Sequence, residues 1–300
     1  MIYRNLFNQI QDCTLSTRST TCKPFIFAGM QTNCHILKSE STKHLPVIAH
    51  VPHSSVIVPA NVRPEIVLND AELNEELLAL TDRYTDELFD GIVKLGGYAF
   101  VNKLSRLVID PERFPLDEEE EMSKKGMGAV YRLTSQGRIL REESIFNKCR
   151  GFLMSRYFFP YSSAFEDLTS KVLIEFGHCL IIDCHSYPLI PLPYEKDPEA
   201  TRPDICIGTS KFHTPAIIMD IIKDYCKEND LSLGFNAPFK DTYVPLKFYR
   251  KDQRVSSVMF EIRRDLYMDE SSCLKNEGFD RIKAHIEVLT KILIDAFMKF

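Results

Sequence analysis

The stretch Leu180-Ile-Ile-Asp-Cys-His185-Ser-Tyr187 begins as an unbroken aliphatic run and ends in ionisable side chains. A short apolar run of this kind is the pattern of a strand buried on both faces of a layered α/β sheet, and the ends of such strands are where these folds place their chemistry. Two other stretches repeat the design. Val47-Ile-Ala-His-Val-Pro-His53-Ser-Ser closes on His53, and Ser257-Val-Met-Phe-Glu261-Ile-Arg-Arg surrounds Glu261 with apolar neighbours. Two imidazoles and a carboxylate make up most of a catalytic zinc site, which takes three protein ligands and keeps one position open. Together the three stretches predict a metal-dependent hydrolase.

Working outward, strands are expected at Phe25-Ile-Phe27, Cys34-His-Ile-Leu37, Pro46 to Val51, Tyr98 to Val101, Arg106 to Asp110, Cys179 to Asp183, Asp204 to Gly208 and Ser256 to Ile262. Between them, Leu73, Leu77, Leu80, Tyr84, Leu88 and Ile92 recur at helical spacing over Asp70 to Leu95, with Asn69 or Asp70 as cap and Gly96-Gly97 as stop. Helices are also expected over Glu142 to Phe176, interrupted near Pro160, over Thr214 to Asn229 and over Phe279 to Phe300. Asp117 to Gly128 reads as a surface loop. Five prolines between Pro188 and Pro203 exclude regular structure there. Alternating strands and helices give an α/β fold with a mixed central sheet. No repeat or linker divides the chain, so residues 1–44 are expected to form a lead-in with short strands and 45–300 a single catalytic domain.

Composition narrows the function classes. The chain is 44% hydrophobic and 26% charged, which is enough apolar material for a core at 300 residues. A net charge of −5 argues against nucleic acid as a partner. No apolar run reaches the roughly 18 residues of a membrane span. Nine cysteines at irregular spacing, with no Cys-x-x-Cys, read as thiols of a reducing cytoplasm.

His53 and His185 are the first two candidate metal ligands. Asp82 in Thr81-Asp82-Arg-Tyr-Thr is a candidate third, and Asp183 competes with it, although two positions before His185 it could orient an imidazole instead. Glu261 is costly in its apolar setting unless it is paired with Arg263 or Arg264 or is functional. In the functional case it acts as general base toward a metal-activated water and passes the proton to the leaving nitrogen. Arg106 and Arg113 suit an oxyanion or a substrate carboxylate, and could equally be surface arginines.

In order along the chain come Pro52-His53-Ser54, Thr81-Asp82, Ser105-Arg106-Leu-Val-Ile-Asp110-Pro-Glu112-Arg113, Asp183-Cys-His185-Ser186, Pro203-Asp204-Ile-Cys-Ile-Gly208-Thr209, Asn236-Ala-Pro238-Phe239 and Glu261-Ile-Arg-Arg-Asp-Leu-Tyr267. This series resembles the N-formylglutamate amidohydrolase family over roughly residues 45 to 290. The resemblance implies a zinc-carboxypeptidase-like α/β/α sandwich and hydrolysis of the amide bond of a small N-acyl amino acid, with an N-formyl group among the candidates. It implies one zinc ion on His53, Asp82 and His185, with Glu261 and Arg106 catalytic and Arg113, Ser186 and Asn236 binding substrate. The chain departs from the family pattern at Val56, Glu112, Ser162 and Lys240.

Two further readings stay open. One is a zinc metallopeptidase acting on a peptide or muropeptide terminus, for which the proline-rich stretch would shape a wider cleft. The other is a non-catalytic binding protein on the same scaffold, against which the retained Glu261 argues.

Overall fold

The structure is a computed structural model, described for residues 33–39, 44–195, 197, 199 and 201–299. All of these fall in one compact unit, Thr32–Phe300. Of the expected lead-in, residues 1–32 and 40–43 lie outside the described residues, and with them the strand expected at Phe25-Ile-Phe27, Cys13 and Cys22.

Seven strands form one mixed sheet: β1 (Cys34–Lys38), β2 (Val47–Val51), β3 (Tyr98–Asn102), β4 (Cys179–Tyr187), β5 (Ile205–Gly208), β6 (Leu233–Phe235) and β7 (Val255–Arg263), in the order β1-β3-β2-β4-β7-β5-β6. β2 runs parallel to β3 and β4, β4 to β7, and β5 to β6, while β1 on β3 and β5 on β7 are antiparallel. The helices are α1 (Asp70–Leu80), α2 (Thr85–Leu88), α3 (Gly91–Lys94), α4 (Glu143–Leu153), α5 (Phe159–Phe176), α6 (Ala216–Glu228) and α7 (Phe279–Phe297). They cover both faces, which gives three layers and explains why every residue of β4 is buried.

Pleating assigns each side chain to a face. Val47, Ala49 and Val51, with Leu180, Ile182 and Cys184 and with Val258, Phe260 and Ile262, pack beneath α6 and α7 in the larger core cluster. The alternate residues Ile48, Cys179, Ile181 and Val255 pack with Tyr161, Phe165 and Val172 of α5 in a second cluster. By the same alternation His50, Asp183, His185 and Glu261 belong to the α5 face.

The long helix expected over Asp70 to Leu95 is three shorter ones. Asn69 caps α1 through a reciprocal box with Glu72. α1 then ends at Thr81 in extended backbone, and Tyr84 takes the left-handed φ of 67° before α2. The break has a purpose: Asp82 N–H donates to the carbonyl of His53 at 3.0 Å, which a continuous helix would forbid. The interruption expected near Pro160 is a π-turn at Met154–Phe158, after which the proline is accommodated in the first turn of α5. β4 runs past Asp183 to Tyr187.

Arg106 to Asp110 is not a strand. It lies in a long irregular segment whose backbone groups are satisfied one by one: Ser105 N–H by Ile57, Asp110 N–H by Ala129 and the Leu107 carbonyl by Arg141. Arg141 is fully buried and donates to the carbonyls of Tyr131 and Leu107 at 2.7 and 2.8 Å. Arg141→Met removes both donors and leaves two buried carbonyls unpaired, at about 1–3 kcal/mol each. A loss of about 2–6 kcal/mol is therefore expected in denaturant unfolding, and a variant within 0.5 kcal/mol of the parent (about the scatter of a surface substitution) would contradict this role.

Candidate active site

Parallel register aligns His50 with Asp183 and His185 with Glu261 on adjoining strands. Beyond the strand ends opens a cavity of 620 Å³ whose walls include His53, Asp82, Arg106, Arg113, His185, Ser186, Asn236 and Glu261. All eight residues singled out from sequence thus border one space.

Asp110, fully buried, organises one wall. Its Oδ1 accepts from His53 Nε2 at 3.0 Å, and its Oδ2 accepts from Arg106 Nη2 at 2.7 Å and Tyr131 Oη at 2.6 Å, with Arg113 Nε 3.4 Å away. Burial alone would raise its pKa, but the Arg106 and Arg113 charges and the hydrogen bond from His53 hold it well below the carboxylate range. With Nε2 protonated toward Asp110, His53 must present an unprotonated Nδ1. That atom is buried and has no hydrogen-bond partner. It faces Asp82 Oδ2 at 3.6 Å and Glu112 Oε2 at 3.8 Å.

His185 Nδ1 lies 3.1 Å from the same Asp82 oxygen, while its Nε2 is 3.2 Å from both Asp183 Oδ1 and Glu112 Oε1. Ligand-capable atoms of His53, Glu112 and His185 fall within 4.8 Å of one another. An orphaned imidazole nitrogen, a second imidazole and carboxylates on both sides are a donor set that fits a divalent cation. Asp82 is anchored through its other oxygen by Arg264 Nη2 at 2.8 Å. Burial raises its pKa, but the hydrogen bond from His185 and the Arg264 charge hold it ionised.

Glu261 differs from all these acids. Its Oε2 is buried without a partner, because Arg263 pairs with Asp204 and Asp265 and Arg264 is taken by Asp82. Burial pushes its pKa up to about 8, the His185 charge opposing and the Asp82 charge adding to the rise. A carboxyl poised near neutrality and open to a cavity is suited to taking and returning a proton.

The remaining positions are more committed than the sequence suggests. Arg106 is fixed by Asp110 and by Tyr131 at 3.0 Å, whereas the terminal nitrogens of Arg113 have no partner among the described residues. Ser186 Oγ accepts from Arg264 Nε at 3.2 Å. Asn236 bonds Thr209 through both ends of its amide, at 2.8 and 2.9 Å, so it ties the loop at the cavity mouth. Sequence reasoning did not single out Asp110, Arg264 or His50 as parts of the site, and it marked Glu112 only as a departure from the family pattern beside Arg113. The pair Asp110-x-Glu112 was the available signal for these two carboxyls, which meet His53 from a turn closed by Arg113 N–H on the Asp110 carbonyl at 3.4 Å.

A carboxyl raised above its unfolded value contributes stability that is complete below the unfolded pKa, 4.5, and lost as pH rises through the folded one, about 8. In metal-free protein, Glu261→Gln should therefore gain melting temperature relative to the parent between about pH 5 and about pH 9. Parallel pH profiles for the two would contradict a buried, unpaired carboxyl.

The sequence profile of the N-formylglutamate amidohydrolase family matches residues 45–268. Among solved structures, the N-formylglutamate amidohydrolase of Ralstonia eutropha JMP134 superposes with a TM-score of 0.72 at 22% identity, covering 89% of this chain and 98% of that one. A gene product of Agrobacterium tumefaciens gives 0.59 at 17% identity, covering 89% and 97%. None of the curated proteins matches the chain. The structural likeness fixes the fold, a zinc-carboxypeptidase-like α/β/α sandwich. By its sequence over residues 45–268, the chain belongs to the N-formylglutamate amidohydrolase family.

Proposed function

We propose that this chain is a zinc-dependent amidohydrolase cleaving the amide bond of a small N-acyl amino acid, with 45–300 as its catalytic domain and β1, from the expected lead-in, as an edge strand of that domain's sheet. The observation that carries the reading is His53: Asp110 holds its Nε2, and its buried Nδ1 is left without a partner beside Asp82 and His185. His53, Asp82 and His185 would hold the ion. Bound there, a zinc ion would supply Lewis acidity and make water nucleophilic at neutral pH.

The chain's own groups account for the other requirements. Glu261 in its ionised form takes a proton from the attacking water, whose oxygen bonds to the acyl carbon. As the C–N bond breaks, Glu261 returns that proton to the leaving nitrogen, giving a carboxylic acid and a free amine. Arg106, pinned by Asp110 and Tyr131, is a preorganised cation for the developing oxyanion. Arg113, with unclaimed terminal nitrogens, would bind the carboxylate of the amino acid. Ser186 and Asn236 contribute wall and mouth contacts.

A peptide or muropeptide terminus is a second reading, favoured by the cavity volume of 620 Å³, which exceeds what a single acylated amino acid fills. A cytoplasmic setting is supported by the cysteines, since Cys149, Cys179, Cys184, Cys206, Cys226 and Cys273 are buried thiols outside any disulfide. No helix among the described residues is long and apolar enough to cross a membrane.

His53→Ala and His185→Ala should each lose one equivalent of bound zinc by elemental analysis, whereas His178→Ala, just before β4 and outside the cavity lining, should not. Unchanged zinc content in His185→Ala would remove the assignment. Asp110→Asn is expected to weaken metal binding by about 10–100-fold through loss of the His53 orientation. Glu261→Gln should keep the metal and lose about 10²–10⁴ in kcat on N-formyl, N-acetyl or dipeptide substrates. Full activity in that variant would overturn the general base.

A further inference from the structure

His50 has no part in the reaction above. It is fully buried, and its Nδ1 faces two carboxylates at once, Asp183 Oδ1 at 2.9 Å and Glu112 Oε1 at 3.4 Å. The same two oxygens each lie 3.2 Å from His185 Nε2. Ligand-capable atoms of His50, Glu112 and Asp183 all fall within 4.8 Å of one another. Carboxylates held this near each other in the interior repel unless positive charge sits between them. Lysine and arginine supply none: among the described residues the ion-pair partners of Glu112 are His50, His53 and His185, and those of Asp183 are His50 and His185, its other oxygen accepting from the Tyr243 N–H at 2.9 Å.

The surroundings of His50 suit ligation. Its Nε2 lies 2.8 Å from Tyr161 Oη, so the tautomer protonated at Nε2 donates to that phenol and turns the Nδ1 lone pair toward both oxygens. Donor atoms around a tetrahedral ion bonded at about 2.0–2.2 Å are about 3.3–3.6 Å apart. The separations here, 2.9, 3.2, 3.2 and 3.4 Å, lie at or a few tenths of an ångström inside that spacing, so a small outward shift of the side chains admits the ion. Glu112 and Asp183 both line the cavity, which gives the ion a way in.

We propose that His50 Nδ1, Asp183 Oδ1 and Glu112 Oε1 form a second divalent-cation site, backed by His185 Nε2. The donor set of one imidazole and two carboxylates takes zinc, manganese or cobalt. His185 then lies between two ions, its Nδ1 toward Asp82 and its Nε2 toward the second site, which makes the centre dinuclear; that clause alone rests on the first ion proposed above. The second ion neutralises Glu112 and Asp183 and so fixes the imidazole they share.

The test counts zinc on the full chain, stripped with chelator, reloaded and separated from free metal, with circular dichroism as the check of folding. The parent should hold two equivalents, Glu112→Gln one, and His53→Ala one. If Glu112→Gln does not fold, His50→Gln takes its place. One equivalent in the parent, kept by Glu112→Gln and lost by His53→Ala, would overturn the second site and leave the first intact. Two equivalents in Glu112→Gln would also overturn it, because the extra ion would then sit elsewhere. A parent that binds no zinc would overturn both sites.

Discussion

Parallel pairing of β2, β4 and β7 in a single register is the constraint on which the rest of the molecule depends. Because side chains alternate across a strand, that register puts His50, Asp183, His185 and Glu261 on one face and leaves the opposite face entirely to the apolar core. A slip of one residue would bury the imidazoles and carboxyls under α6 and α7 and turn Phe260 and Ile182 toward the cavity. The larger core therefore does more than stabilise the sheet. Its side chains fix the register that brings the ionisable face together.

The other half of the site is not made by regular structure. His53, Asp82, Asp110 and Glu112 sit on segments that have left the strands and helices, so polar contacts must hold them in place. Asp110 ties His53 to Arg106 and Tyr131, Arg264 ties Asp82 to the end of α1, and Arg141 ties the irregular segment that carries Asp110. Each contact pairs a buried carboxylate or carbonyl with a cationic, imidazole or phenol donor, which is how groups so costly to desolvate remain in the interior. Glu261 is the exception. Left without a donor, it holds its proton up to about pH 8, which sets it apart from its ionised neighbours as the acid–base group.

The sequence made the sheet-borne part of this legible. Apolar runs ending at His185 and enclosing Glu261 are visible because a doubly covered strand must be continuously hydrophobic, and a charge inside one has no innocent place to go. Arg106 to Asp110 misled for the same reason: Leu107-Val-Ile109 is apolar enough for a strand, yet its burial comes from loop packing over Arg141 and its hydrogen bonds go elsewhere. The helix over Asp70 to Leu95 keeps its periodicity through a break that only the contact between Asp82 and His53 requires. His50 passed unremarked because a histidine inside an apolar strand carries no mark of the partners that meet it. Those partners, Tyr161, Asp183 and Glu112, come from three distant parts of the chain.

The account turns on His53 Nδ1 being a metal ligand rather than an idle buried nitrogen. Anomalous diffraction from crystals of the zinc-loaded chain, recorded on both sides of the zinc absorption edge, addresses that atom directly. The account predicts an edge-dependent peak about 2.0–2.1 Å from His53 Nδ1 and within bonding distance of Asp82 and His185. A loaded crystal whose only zinc peaks lie away from His53, with its Nδ1 facing protein or water alone, would contradict it.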